Sequence, residues 1–241
     1  MINVDLVFMC TVTFVPIASN KFVLTSNRDE APDRTTLPPT VYKKEGVQLV
    51  FPKDELAGGT WIGLSEQQRL ICLLNGGFTA HQRAPEYRMS RGVIVTTLLT
   101  TKDAIPTINA FDFNGIEPFT LIMADWASQL KLFELVWDGE HSHFTEKPLA
   151  PAIWSSSLLY TPEIKKKREA WFSSFLFQHL KPSEKELLHF HKNTGEGDKR
   201  TDLVMDRGFV KTKSITQVLK KDSISMRYED LQKQSITNVT L

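Results

Sequence analysis

Met9-Cys10-Thr11-Val12-Thr13-Phe14, a turn through Pro16-Ile17-Ala18-Ser19-Asn20, and Phe22-Val23-Leu24-Thr25-Ser26-Asn27-Arg28-Asp29-Glu30 form the stretch on which the fold turns. Two runs rich in β-branched and aromatic residues flank a Pro/Ser/Asn turn, the pattern of a β-hairpin. A hairpin returns the end of its second strand to the start of its first. Cys10 is therefore expected beside Asn27, Arg28 and Asp29, although roughly eighteen positions separate them. A thiol near a guanidinium is a candidate nucleophile, because positive charge favours the thiolate. Adjacent strand residues point to opposite faces, so Arg28 and Asp29 can both face Cys10 only if the strand breaks at Asn27.

Cys10 directly follows a methionine. If Met9 is the true start and is removed, Cys10 carries a thiol and a free α-amine, whose pKa of roughly 8 suits it as base for its own side chain. With residues 1–8 in front, the Cys10 nitrogen is an amide without basicity. Residues 1–8 are read as an upstream extension; they lack the basic region and apolar run of a signal peptide.

Beyond the hairpin, residues 31–57 hold Pro32, Pro38, Pro39 and Pro52. They read as an irregular excursion with one short strand at 47–51, either a wall of the site or a solvated loop. Thr60-Trp61-Ile62-Gly63-Leu64 and Leu70-Ile71-Cys72-Leu73-Leu74-Asn75 form a second hairpin, and the continuous apolar run from Leu70 suits a strand buried on both faces. Cys72 belongs to that core. A helix is expected within 85–101 and a shorter one over 103–110. Strands follow at 119–125, 130–136, 143–146 and 152–157, with Asp138-Gly139 as a hairpin turn. Thr161-Pro162-Glu163 opens a helix with Ile164, Trp171, Phe172, Phe175 and Leu176 at helical spacing. Lys165-Lys166-Lys167-Arg168 within it reads as a solvated face. Another helix runs from Pro182 to about His191, a last hairpin spans 212–229, and residues 234–241 form a polar tail.

Hairpins throughout imply antiparallel sheets, and two helix groups can cover them. The pattern fits an α+β fold, equally as a four-layer α/β/β/α sandwich or in a more general form. One domain over 1–241 is expected, since no linker or repeat interrupts the chain. The 241 residues are 41% hydrophobic and 24% charged with net charge +1, which suggests neither a nucleic-acid footprint nor a membrane span. Two cysteines make no disulfide framework and suit a reducing cytoplasm. The six histidines show no metal-ligand spacing, so no metal is expected.

Cys10-Thr11, Asn27-Arg28-Asp29-Glu30, Gly58-Gly59-Thr60-Trp61-Ile62-Gly63 and Leu74-Asn75, in that order, resemble the NRDE family, that of transport and Golgi organisation protein 2. The resemblance is strong over the N-terminal third and covers the remainder in outline. It implies the four-layer α/β/β/α sandwich of N-terminal-nucleophile hydrolases such as penicillin V acylase and bile salt hydrolase. It also implies roles: Cys10 as nucleophile, Arg28 and Asp29 as its orienting partners, and Asn75 as an oxyanion donor. A turn role for Asn75, beside Gly76, fits equally well. Asn27, Trp61, Ser155 and Ser156 are assigned to substrate binding. The acylases' further asparagine has no match here; Trp154-Ser155-Ser156-Ser157 stands nearest. Their late arginine is not placed by any motif here; Arg207 is taken to stand for it. A small amide or thioester substrate without a cofactor is one expectation. The other, drawn from the family's links to haem trafficking and lipid metabolism, is a carrier with haem or an acyl-type ligand; oligomeric state is left open.

Overall fold

The computed structural model describes residues 9–158 and 160–241. The upstream extension read at 1–8 lies outside the described residues. The opening hairpin consists of β1 (Met9–Ala18) and β2 (Lys21–Glu30), reversing at Ser19-Asn20. Asn20 takes φ 55°, a left-handed conformation that asparagine tolerates better than most residues. β2 continues unbroken through Arg28 and Asp29, which settles the question raised by their adjacency.

The next strands build a seven-stranded antiparallel sheet: β3 (Thr36–Lys44), β4 (Val47–Asp54), β5 (Ile62–Ser65), β6 (Arg69–Asn75), β7 (Phe119–Asp125), β8 (Lys131–Trp137) and β9 (Ser142–Lys147), in sequence order. β10 (Ala152–Ser155), β11 (Lys211–Lys220), β12 (Ile224–Asp230) and β13 (Ser235–Thr240) join the hairpin in a six-stranded antiparallel sheet of order β10-β1-β2-β11-β12-β13. The helices are α1 (Arg91–Thr100), α2 (Ala104–Ala110), α3 (Pro162–Gln178) and α4 (Glu184–Asn193).

Strand alternation sorts the side chains into layers. Val12, Phe14, Phe22 and Leu24 of the six-stranded sheet meet Ile62, Leu64, Leu70, Cys72 and Leu74 of the other in a core between the sheets. Ile71, Leu73, Leu121 and Met123 point outward to Ile94, Val95, Leu98 and Leu99 of α1. Val15 and Val23 point outward to Phe172 of α3 and Leu187 and Phe190 of α4. The result is the four-layer α/β/β/α sandwich. Among the described residues no helix is long and apolar enough to cross a membrane.

Two readings need correction. The excursion over 31–57 is largely the β3–β4 hairpin, closed by Glu45 and Gly46 at φ 52° and 85°. Its prolines disguise it: Pro38 and Pro39 fall at a register shift between Leu37 and Thr40 on an edge strand, where the missing N–H groups cost no ladder bond. The polar tail is β13, paired along its length with β12. Its side chains are mostly exposed, so composition hid a strand held by main-chain bonds.

Candidate functional site

A cavity of about 1030 Å³ opens beside the ends of β1, β2 and β6, the start of α1 and the loop before it. Cys10, Arg28, Glu30, Arg34, Asp54, Trp61, Asn75, Arg83, Arg91 and Glu117 are among its lining residues. Hairpin register decides who meets whom. Cys10 pairs directly with Arg28, so their side chains leave the same face.

Arg28 is the hub of that face. Its Nη2 donates to Glu30 Oε2 at 3.1 Å and Asp54 Oδ2 at 2.8 Å, and its Nη1 donates to Thr36 Oγ1 at 2.9 Å. The guanidinium lies 4.1 Å from the centre of the Trp61 ring, a cation–π stack that holds its plane. Arg34 Nε donates to both Asp54 oxygens, at 2.8 and 3.1 Å. Burial raises Glu30 from the ordinary 4.5 to about 7, against the pull of Arg28 and the Ala31 N–H. Burial likewise pushes the Cys10 thiol well above its usual range; Cys72 and Asp29 add to this, and Arg28 opposes it. Across the cavity, Arg91 Nη2 contacts Glu117 Oε2 at 3.1 Å and Arg83 Nε contacts Oε1 at 3.6 Å.

The opposite face of the same hairpin is closed by the helices. Asn27 Nδ2 donates to the carbonyls of His191 and Leu203 at 3.0 and 2.7 Å, leaving its Oδ1 to accept from His191 Nδ1 at 2.8 Å. The His191 proton therefore sits on Nδ1, and Nε2 accepts from Thr13 Oγ1 at 2.8 Å. Burial, with the Arg168 charge, lowers His191 from 6.5 to about 3, in keeping with a neutral ring. Asp29 accepts from Tyr160 Oη at 2.8 Å and Thr212 Oγ1 at 2.5 Å. Its pKa rises from 3.8 to about 6 because burial outweighs the Arg168 charge and these two bonds. Arg168 lies 3.6 Å over the Tyr160 ring and donates to Thr11 Oγ1 and to the Thr201 and Asp202 carbonyls.

The structure thus brings Cys10, Arg28, Trp61 and Asn75 to the cavity and turns the Asn27 side chain away into the helix layer. The Asp29 carboxylate joins Tyr160 and Thr212, although Asp29 also contributes to the cavity lining. Ser155 pairs with Thr11 on β1 and Ser156 is buried next to it; neither is among the lining residues. Arg207 donates to the Arg200 carbonyl at 2.8 Å and stands 5.7 Å from the Tyr160 ring, outside the cavity lining. The basic run of α3 is only in part a solvated face. Lys166 is exposed, but Arg168 is fully buried, because it lies one turn before Phe172 on the stripe that meets the sheet. That i, i+4 spacing was the available signal. Glu117, Arg83 and Arg91 carried none, since each sits outside any motif. Among the described residues no group of three or more His, Cys, Asp or Glu is placed to hold a metal ion.

The family model described as Transport and Golgi organisation 2 matches residues 9–233. No curated protein matches the chain by sequence. Solved structures share its fold at low identity. A variant of the conjugated bile acid hydrolase from Clostridium perfringens has TM-score 0.60 and 10% identity, over 96% of this chain and 92% of that one. Penicillin V acylase from Agrobacterium tumefaciens has TM-score 0.62 and 10% identity, over 96% and 86%. The Caenorhabditis elegans N-acylethanolamine-hydrolyzing acid amidase ortholog has TM-score 0.58 and 11% identity, over 87% and 92%.

Proposed function

The chain belongs to the Transport and Golgi organisation 2 family, and on that premise we propose that it is a cysteine hydrolase of a small amide or thioester, acting in the cytoplasm with Cys10 as nucleophile. The observation that carries this reading is the pairing of Cys10 with Arg28 at the wall of a cavity large enough for a small molecule. The structural neighbours named as a hydrolase, an acylase and an amidase support it. So does the start of the family match at residue 9, one position before the thiol.

The chemistry requires a base, and burial makes the demand sharper. The thiol of Cys10 is disfavoured as a thiolate, and Arg28 offsets that only in part. In a chain beginning at Cys10, an α-amine with a pKa of about 8 takes the thiol proton. Sγ then bonds to the substrate carbonyl carbon, with Asn75 as the candidate donor to the developing oxyanion. Collapse breaks the bond to the leaving amine or thiol, which takes up the proton. Water attacks the resulting thioester and regenerates the thiol. The test is the intact mass of protein expressed from its own start region, followed by turnover of amide and thioester probes. Protein beginning at Cys10 should turn over at least one probe, and Cys10→Ala should lower that rate to background. A Cys10→Ala variant as active as the parent would falsify the reading.

A second reading has its own observation. When residues precede Cys10, its nitrogen is an amide and burial keeps the side chain a neutral thiol. On this reading the protein is a carrier of haem or an acyl-type ligand, held without turnover. A mass that retains residues 1–9, with haem binding above that of an unrelated protein, favours the carrier.

A further inference from the structure

Where β10 ends, one buried residue hydrogen-bonds to both sheets. Ser156 is 2% exposed. Its main-chain N–H donates to the Cys10 carbonyl at 3.1 Å, and its Oγ donates to the Asn75 carbonyl. Cys10 belongs to the six-stranded sheet and Asn75 to the seven-stranded one. The following residue repeats the stitch, with Ser157 Oγ donating to the Gly77 carbonyl at 2.7 Å. Between the two anchored carbonyls lies Gly76, at φ +87°, where an added Cβ would collide with Ser157 Oγ. A glycine is therefore required for the β6 exit to pass this close to the serines.

We propose that Ser156 is a positioning residue that sets the distance between the nucleophile and the oxyanion donor. This inference rests on the hydrolase reading above. One peptide unit carries the Cys10 carbonyl and helps to fix the backbone from which Sγ projects. Another carries the Asn75 carbonyl and fixes the backbone from which the side-chain amide projects. Ser156 bonds to both, so the relative placement of thiol and amide depends on its hydroxyl. Displacements of about 1 Å at such a pair lower reaction rates by roughly 100-fold. Ser156 itself need not touch substrate, which agrees with its absence from the cavity lining.

The test uses the full-length protein, its first residue established by intact mass, and two probes of Cys10. Iodoacetamide alkylation needs only the thiolate. Acylation by p-nitrophenyl acetate also needs an oxyanion donor in place. Ser156→Ala should lower the acylation rate by about 10- to 100-fold while alkylation changes by less than about 2-fold. In the Asn75→Ala background, Ser156→Ala should have no further effect on acylation, since the part it positions is gone. A merely structural role would lower both rates, or would act equally in both backgrounds, and either result overturns the proposal. Ser156→Gly, which keeps the N–H bond to Cys10, serves the same test if the alanine variant does not fold. Unchanged acylation in a folded Ser156 variant removes Ser156 alone. Absence of Cys10-dependent acylation in the wild type removes the hydrolase reading and Ser156 with it.

Discussion

The two faces of β2 bear polar residues in alternation and use them in opposite ways. Toward the cavity, Arg28 and Glu30 belong to a charged cluster with Asp54 and Arg34, stacked on Trp61 and bordering open space. Toward the helices, Asn27 and Asp29 are fully buried, each tied by three or two named hydrogen bonds to residues far along the chain. The difference teaches that a motif of four consecutive polar residues can serve chemistry and architecture together. Alternate members lie on opposite sides of one sheet. Arg28 and Glu30 border space that a ligand can enter, whereas the side chains of Asn27 and Asp29 are taken up by hydrogen bonds to buried partners.

Removing the cavity-face hub should have the largest effect on stability. Arg28→Ala leaves Glu30 and Asp54 short of their shared cation, and should cost about 3–5 kcal/mol in urea denaturation. A cost near that of a surface substitution would show that the cluster is no hub. Asn27→Ala should cost somewhat less, about 1–3 kcal/mol, by stranding two carbonyls and the His191 N–H. Its sharper signature is what it spares. The iodoacetamide reactivity of Cys10 should stay near wild type, and a large change would mean that the two faces are coupled through the strand.

The smallest effect distinguishes the faces by pH. Folded Glu30 keeps its proton up to about 7, against 4.5 when unfolded, so its contribution to stability falls as pH rises from 4.5 to 7. Folded His191 stays neutral down to about 3, whereas the unfolded side chain protonates near 6.5. Its contribution is therefore lost as pH falls from 6.5 toward 3. Glu30→Gln should make stability drop more steeply than wild type on acidification from pH 7 to 4.5. His191→Gln should make it drop less steeply, each by about 1–3 kcal/mol across the window. Urea midpoints measured against pH would show it, and parallel slopes in the two variants would break the comparison.

Legibility in the sequence followed the range of the interaction. The hairpin, the meeting of Cys10 with Arg28, and the capped start of α3 at Thr161-Pro162 are local. They depend on a period of two residues, a turn, or one helical turn, all readable from neighbours. The rule that Arg28 and Asp29 diverge in an unbroken strand was available in advance; that the strand continues was not. Two strands were missed because prolines and polar side chains concealed segments held by main-chain bonds to a neighbouring strand.

What the sequence determined by itself is the alternation along the paired strands of the opening hairpin, the helically spaced apolar positions of α3, and the placement of a thiol beside a guanidinium. Tertiary structure alone decided which face became a cavity and which a sealed interior. Asn27 meets His191 across 164 positions and Asp29 meets Tyr160 across 131. Burial of a polar group depends on what covers it, and the cover comes from chain that no local pattern brings near. For the same reason the site's opposite wall, Arg83, Arg91 and Glu117, became visible only once two sheets and α1 had converged on Cys10.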